Sequence, residues 1–143
     1  MTEIPIGSAS TVKTGNGVAI LSFGTLLPAA IEVAERIGAT VVNMRFVKPL
    51  DGNMITQLAE NHDLLVTLEE NVIAGGAGSG VNEFLANAAI STPCLNLGLP
   101  DRYIDHGSQT ALLSECGLDA NGIEKSILAS PFYHAQQPMS QTQ

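Results

Sequence analysis

The stretch Val18-Ala19-Ile20-Leu21-Ser22-Phe23-Gly24-Thr25-Leu26-Leu27-Pro28-Ala29-Ala30-Ile31-Glu32-Val33-Ala34-Glu35-Arg36-Ile37-Gly38 decides the fold, because its period changes half-way along. Val18–Phe23 is a continuous apolar run of strand length, the pattern of a strand covered on both faces. After Gly24 the apolar residues Leu27, Ala30, Ile31, Ala34 and Ile37 recur at helical spacing, with Thr25 placed to cap the exposed N–H groups. Gly38 closes the helix, since a residue without Cβ takes the left-handed closing conformation cheaply.

Outward from this unit the pattern repeats. Val41–Val47 reads as a second strand stopped by Pro49, and Asp51 caps a helix that buries Met54, Ile55, Leu58 and Ala59. Leu64–Leu68 is a third strand. A glycine-rich loop leads into a helix opened by Ser79 or Gly80 and carrying Val81, Phe84, Leu85 and Ala88 on one face, followed by a strand at Cys94–Leu97. Two helices follow, Ser108–Cys116 ended by Gly117 and Asp119–Ala129, where Asn121 and Glu124 could form a capping box. Strands alternating with helices specify an α/β fold, three αβα layers around a mainly parallel sheet. Propensity leaves Ile4–Lys13 open as an edge strand. The organisation expected is one domain over residues 1–130 and a flexible polar tail over 131–143.

With 143 residues, 45% hydrophobic and 14% charged, and a mean hydropathy of +0.21, the chain is too apolar for a disordered one and suits a single core. Six Lys and Arg against 14 Asp and Glu leave a net charge of −8, a field that repels phosphate backbones and argues against nucleic acid. No apolar run reaches the ~18 residues that span a bilayer, and MTEIPIGSAS lacks the basic start of a leader. The expectation is a cytoplasmic protein without a membrane partner. Cys94 and Cys116 belong to no CxxC or Cys/His cluster, so both are expected as reduced, buried thiols.

Three features carry residue types used in chemistry. The first is Gly75-Gly76-Ala77-Gly78-Ser79-Gly80 between a strand and a helix, where backbone N–H groups could hold an anion. Read from Gly76, a G-x-G-x-x-G fingerprint puts Val81 where its third glycine belongs, and no P-loop lysine follows. A stand-alone small-molecule or nucleotide-binding domain using this loop is therefore the alternative reading. The second is Glu69-Glu70, at the carboxyl end of a strand where α/β folds place function. Neighbours on an extended chain point in opposite directions, so a single functional Glu is expected rather than a pair, against a plainer role in caps, ion pairs or partner contact. The third is Asp101, Asp105 and His106, short of the ligand set of a zinc site and well placed to cap the helix that follows. His62 ends a helix, where a cationic side chain suits the dipole, and His134 lies in the tail. No serine elbow or paired cysteine supports nucleophilic catalysis.

The strings MRFVKPLD (44–51), TLEENVIAGGAGSGVNE (67–83) and LNLGLPDRYIDHGSQTALLSECGLDANGI (95–123) resemble the C-terminal, transketolase-type domain of 1-deoxy-D-xylulose-5-phosphate synthases, over roughly Ile4 to Ala129. The resemblance implies a mixed five-stranded sheet whose first strand, Ile4–Lys13, runs antiparallel to the rest. It implies a parent transferase that uses thiamine diphosphate and Mg²⁺ to join pyruvate to D-glyceraldehyde 3-phosphate, feeding isoprenoid, thiamine and pyridoxal synthesis. In that family the diphosphate is held through Mg²⁺ by a G-D-G motif with a downstream Asn in the first domain, and the pyrimidine is activated by a glutamate of the middle domain. This sequence has no G-D-G; Leu50-Asp51-Gly52 follows Pro49 in another context. Two anionic phosphates need a hard cation with oxygen ligands, so the isolated chain is expected to bind no cofactor or metal and to be inactive. Its implied role is assembly: packing on the preceding domains and helping to hold a homodimer. Candidate contact residues are Glu69, Glu70, Asn71, Gly75, Gly76 and Gly78, with Asp101, Arg102 and His106 as a second patch; no catalytic residue is expected in the chain.

Overall fold

The computed structural model describes residues 8–45, 50–72, 76–99 and 117–133. Among them the elements run β1 (Ser10–Lys13), β2 (Gly17–Phe23), α1 (Leu27–Ile37), β3 (Thr40–Asn43), α2 (Gly52–Asn61), β4 (His62–Val72), α3 (Ala77–Asn87), β5 (Cys94–Leu99) and α4 (Ala120–Leu128). The unit read from Val18–Gly38 forms as its period requires. Ala30, Val33 and Ala34 of α1 are buried, and Gly38, at φ 74°, donates its N–H to Ala34 O at 2.7 Å. Thr25, however, does not cap this helix. The N-cap is Leu26, with no side-chain cap, and Pro28 sits in the first turn, where a missing N–H leaves no bond unmade.

The five strands form one sheet in the order β1-β3-β2-β4-β5. β1 runs antiparallel to β3, and all other neighbours are parallel, as the family resemblance implied. Residues of β2 alternate between the two faces and feed two cores. Val18, Ile20, Val41, Leu64, Val66 and Leu68 pack under α1 and α4. Ala19, Leu21, Val42 and Leu65 pack under α2 and α3. Coverage on both faces explains why the central strands read as unbroken apolar runs.

Several boundaries differ from those expected. β3 ends at Asn43, with Arg45 at φ 63°, and residues 46–49 lie outside the described residues. β4 is far longer than Leu64–Leu68 and carries Glu69 and Glu70 within it. α3 begins at Ala77, two residues before Ser79. The helix expected at Ser108–Cys116 lies outside the described residues, as does most of the tail, though Tyr133 packs against the α1/α4 core.

No Asn121–Glu124 capping box forms either. Asp119 caps α4 by accepting from Gly122 N at 2.8 Å, while Asn121 and Glu124 both accept from Arg36 of α1, at 2.9 and 2.8 Å. Arg36 also pairs with Glu32, so one guanidinium ties α4 to α1 on the surface. Exposed ion pairs contribute little, whereas Ile123 and Ile127 of α4 are fully buried against the sheet. Ile123→Ala should therefore lower unfolding stability by about 3 kcal/mol. Arg36→Met should shift the urea midpoint far less, and a larger shift for Arg36→Met would show that the surface network holds α4.

Candidate functional site

The strand order fixes where a site could lie. β2 leads through α1 to β3 on one side, and β4 leads through α3 to β5 on the other. The carboxyl ends of β2 and β4 are thus the point where the winding reverses, the crevice in which doubly wound sheets bind ligands. Glu69, the partner of Phe23 in the β2–β4 ladder, stands there with Glu70 beside it.

The strand continues through both glutamates, so they point to opposite faces. Glu69 turns to the α2/α3 side and is 1% exposed. Its Oε1 accepts from Ala77 N at 2.8 Å and its Oε2 from Gly78 N at 2.7 Å. Those are first-turn N–H groups of α3, which have no partner within the helix and sit at the positive end of its dipole. Glu70 turns to the α1 side, where its Oε1 accepts from Thr25 N at 3.4 Å, beside Gly24 at φ 96°. Two neighbouring carboxylates thus meet the leading ends of helices in two different layers.

Beneath α3 the seal continues through side chains. A Cβ on Gly78 would stand 2.8 Å from Thr67 Oγ1 and 2.9 Å from Asn96 Nδ2, so the helix reaches this depth only with glycine there. Asn96 Nδ2 donates to the buried Thr67 Oγ1 at 2.7 Å and toward Cys94 Sγ at 3.5 Å, and Asn96 Oδ1 accepts from Asn82 Nδ2 at 2.7 Å. Burial pushes the Cys94 thiol up to about 11, against the smaller, opposing effect of Asn96. Cys94 is a free thiol, half-buried and held in its unreactive form.

Of the candidate contact residues, Glu69 and Gly78 therefore lie inside the domain, used by its own helix rather than presented to a partner. Gly76 is half-buried at the N-cap of α3, and Asn71 belongs to the end of β4. Gly75, Asp101, Arg102 and His106 lie outside the described residues, with Asp105, Cys116 and His134. His62 is at the opposite end of β4 and is fully engaged. Its Nδ1 donates to Leu58 O at 2.9 Å, its Nε2 meets Thr40 Oγ1 at 2.8 Å, and that oxygen accepts from Gly15 N at 2.9 Å. This network lines a polar cleft of about 390 Å³ with Asn16, Gln57 and Asn61.

Sequence reasoning missed the Thr67–Asn96–Asn82 chain. The available signal was a polar residue at an inward strand position, Thr67 between Val66 and Leu68 and Asn96 between Leu95 and Leu97. Among the described residues no three His, Cys, Asp or Glu side chains come together to hold a metal. The carboxylates of Glu69 and Asp51 are committed to backbone N–H groups. These residues do not fit a magnesium-bridged diphosphate.

The architecture is a doubly wound α/β domain with an antiparallel edge strand and a switch point filled from within. The sequence matches the family described as transketolase, C-terminal domain, over residues 7–123, and the chain belongs to that family. It is 59% identical to 1-deoxy-D-xylulose-5-phosphate synthase of Thioalkalivibrio sulfidiphilus over 126 residues, covering 88% of this chain and 20% of the relative. It is 51% identical to the synthase of Nitrosococcus oceani over 140 residues, covering 98% of this chain and 21% of the relative. The chain thus spans about a fifth of the length of these relatives. Among solved structures, a split gene transketolase described as an inactive beta4 tetramer superposes with a TM-score of 0.79 at 30% identity, covering 87% of this chain and 42% of that one. Transketolase from Leishmania mexicana, at 17% identity, shares the fold with a TM-score of 0.61 over 96% of this chain and 21% of its own.

Glu69→Gln places an amide NH₂ against a backbone donor and should cost about 2 kcal/mol of stability. Glu69→Ala should regain part of its lost thermal stability in formate, which the parent chain should not; a formate effect equal in both would refute the clamp. For Cys94, the raised value means that the folded state holds its proton more tightly than the unfolded chain, whose thiol titrates near 9.0. Its contribution is complete below pH 9 and is lost as pH rises toward 11. In a Cys116→Ala background, iodoacetamide at pH 8 should label Cys94 only after denaturation. Rapid native labelling would contradict the burial described.

Proposed function

We propose that this chain is the C-terminal assembly domain of a 1-deoxy-D-xylulose-5-phosphate synthase, packing against the preceding domains of that enzyme and helping to hold its homodimer. The parent is a cytoplasmic, thiamine-diphosphate- and Mg²⁺-dependent transferase. It condenses pyruvate with D-glyceraldehyde 3-phosphate, and its product feeds isoprenoid and thiamine synthesis. The cofactor and its metal belong to the other domains, and the isolated chain is inactive. What carries this reading is identity of 51–60% over nearly the whole of this chain to about a fifth of each synthase. The split gene relative, described as inactive in its beta4 form, supports a division of labour in which one portion of such an enzyme folds without catalysing.

The filled switch point supports the same division. A phosphate seeking the α3 N-terminus meets a buried carboxylate already holding both N–H groups, and would have to displace it. With Glu69 and Gly78 turned inward, the contact surface is left to Glu70, Asn71, Gly75 and Gly76, and to Asp101, Arg102 and His106.

Mixing the chain with the first two domains of a synthase is the test. Neither part alone should turn over pyruvate and D-glyceraldehyde 3-phosphate, and together they should recover activity. Turnover by the chain alone, or no recovery on mixing, would overturn the proposal.

A further inference from the structure

Asp51 does more than a helix cap requires. One carboxylate oxygen accepts from Met54 N at 3.1 Å and caps α2. The other accepts from Ala9 N at 2.8 Å, forty-two positions earlier, just before β1. A serine at position 51 would serve the first purpose equally well; only the second needs a carboxylate. One residue further along, Ser10 Oγ accepts from Arg45 Nη2 at 2.9 Å. Arg45 holds a left-handed backbone at φ 63°, a conformation that a non-glycine residue keeps only when its surroundings enforce it.

Besides the edge ladder with β3 and the packing of Ala9 on the α2/α3 core, these two tethers are what hold the segment among the described residues. β1 has four residues, lies at the sheet edge, exposes Thr11 and Val12, and pairs with β3 through a register shift between Thr11 and Lys13. A short, irregular, exposed edge strand is the kind of element that opens at low free-energy cost. Side chains from the β3–α2 region, rather than the ladder alone, fix where the chain comes into the domain.

We infer that residues 8–13 form a detachable strap that couples this domain to the preceding part of the synthase, with Asp51 as its latch and Arg45 as a second tether. The inference rests on the assembly role proposed above. Latched, the strap fixes the direction from which the preceding chain arrives, so the two parts behave as one cooperative body. Unlatched, the domain keeps its core and α2 but loses its orientation relative to the rest. Asp51 is thus a positioning residue, distant from any reacting atom.

Amide hydrogen exchange on the chain tests the latch. In Asp51→Ser, exchange at Ala9 and across Ser10–Lys13 should rise about tenfold or more, while Ile55 and Leu58 of α2 change less than about threefold. Asp51→Ala should raise both sets. Unchanged exchange in β1 of Asp51→Ser would overturn the latch. Should that variant not fold, Arg45→Gly decides instead, since glycine keeps the left-handed backbone without strain and removes the side chain that bonds Ser10. Faster exchange confined to β1 supports the strap, and no change refutes it. For the coupling, the chain is fused behind the first two domains of a synthase. The parent fusion should be active and unfold in one transition; Asp51→Ser should unfold in two and lose activity about fivefold. A fully active, single-transition Asp51→Ser fusion would overturn the coupling alone, whereas an inactive parent fusion would overturn the assembly reading.

Discussion

The carboxylate of Glu69, buried beneath α3 with one oxygen on Ala77 N and the other on Gly78 N, is the contact on which the rest of this domain depends. A buried carboxylate without partners is among the most costly groups a fold can contain. A helix whose first turn is Gly76-Ala77-Gly78 has weak propensity and unpaired donors of its own. Each solves the other's difficulty. The helix start supplies donors and a favourable dipole, and the carboxylate supplies the acceptors that a glycine N-cap lacks. The glycine at position 78 then lets α3 settle onto Thr67 and Asn96, which brings Val81 and Leu85 into the core.

The same economy operates one residue later and one layer away. Because a strand alternates, Glu70 reaches the segment before α1 while Glu69 reaches α3. The crevice that doubly wound sheets commonly offer to an anionic ligand is in this chain an internal joint between strand and helices. That change of use accounts for a glycine-rich loop of cofactor-binding appearance in a domain read as an assembly unit.

Much of the fold was legible in the sequence. The period change across Val18–Gly38 and its repeats placed every strand and helix among the described residues except β1, and strand alternation separated Glu69 from Glu70. What failed were the ends. Thr25 looked like a cap, but its own N–H is taken by Glu70 and the cap position falls on Leu26. α3 was expected at Ser79 or Gly80, yet it starts within Gly76-Ala77-Gly78, a poor helix sequence. Its earlier start depends on a glutamate eight and nine residues upstream, a contact that local pattern cannot encode. The family resemblance, not propensity, supplied the antiparallel β1. Asp51 was read correctly as a cap, but its second bond to Ala9 spans too many residues for any periodic signal.

The donors at the switch point are already taken by Glu69 and Glu70. Following the amide resonances of Ala77, Gly78 and Thr25 while inorganic pyrophosphate and Mg²⁺ are added to the native chain tests this most directly. All three should stay in place up to millimolar ligand. A saturable shift of Ala77 and Gly78 would mean that Glu69 yields to an outside anion, and that the domain carries a binding site of its own.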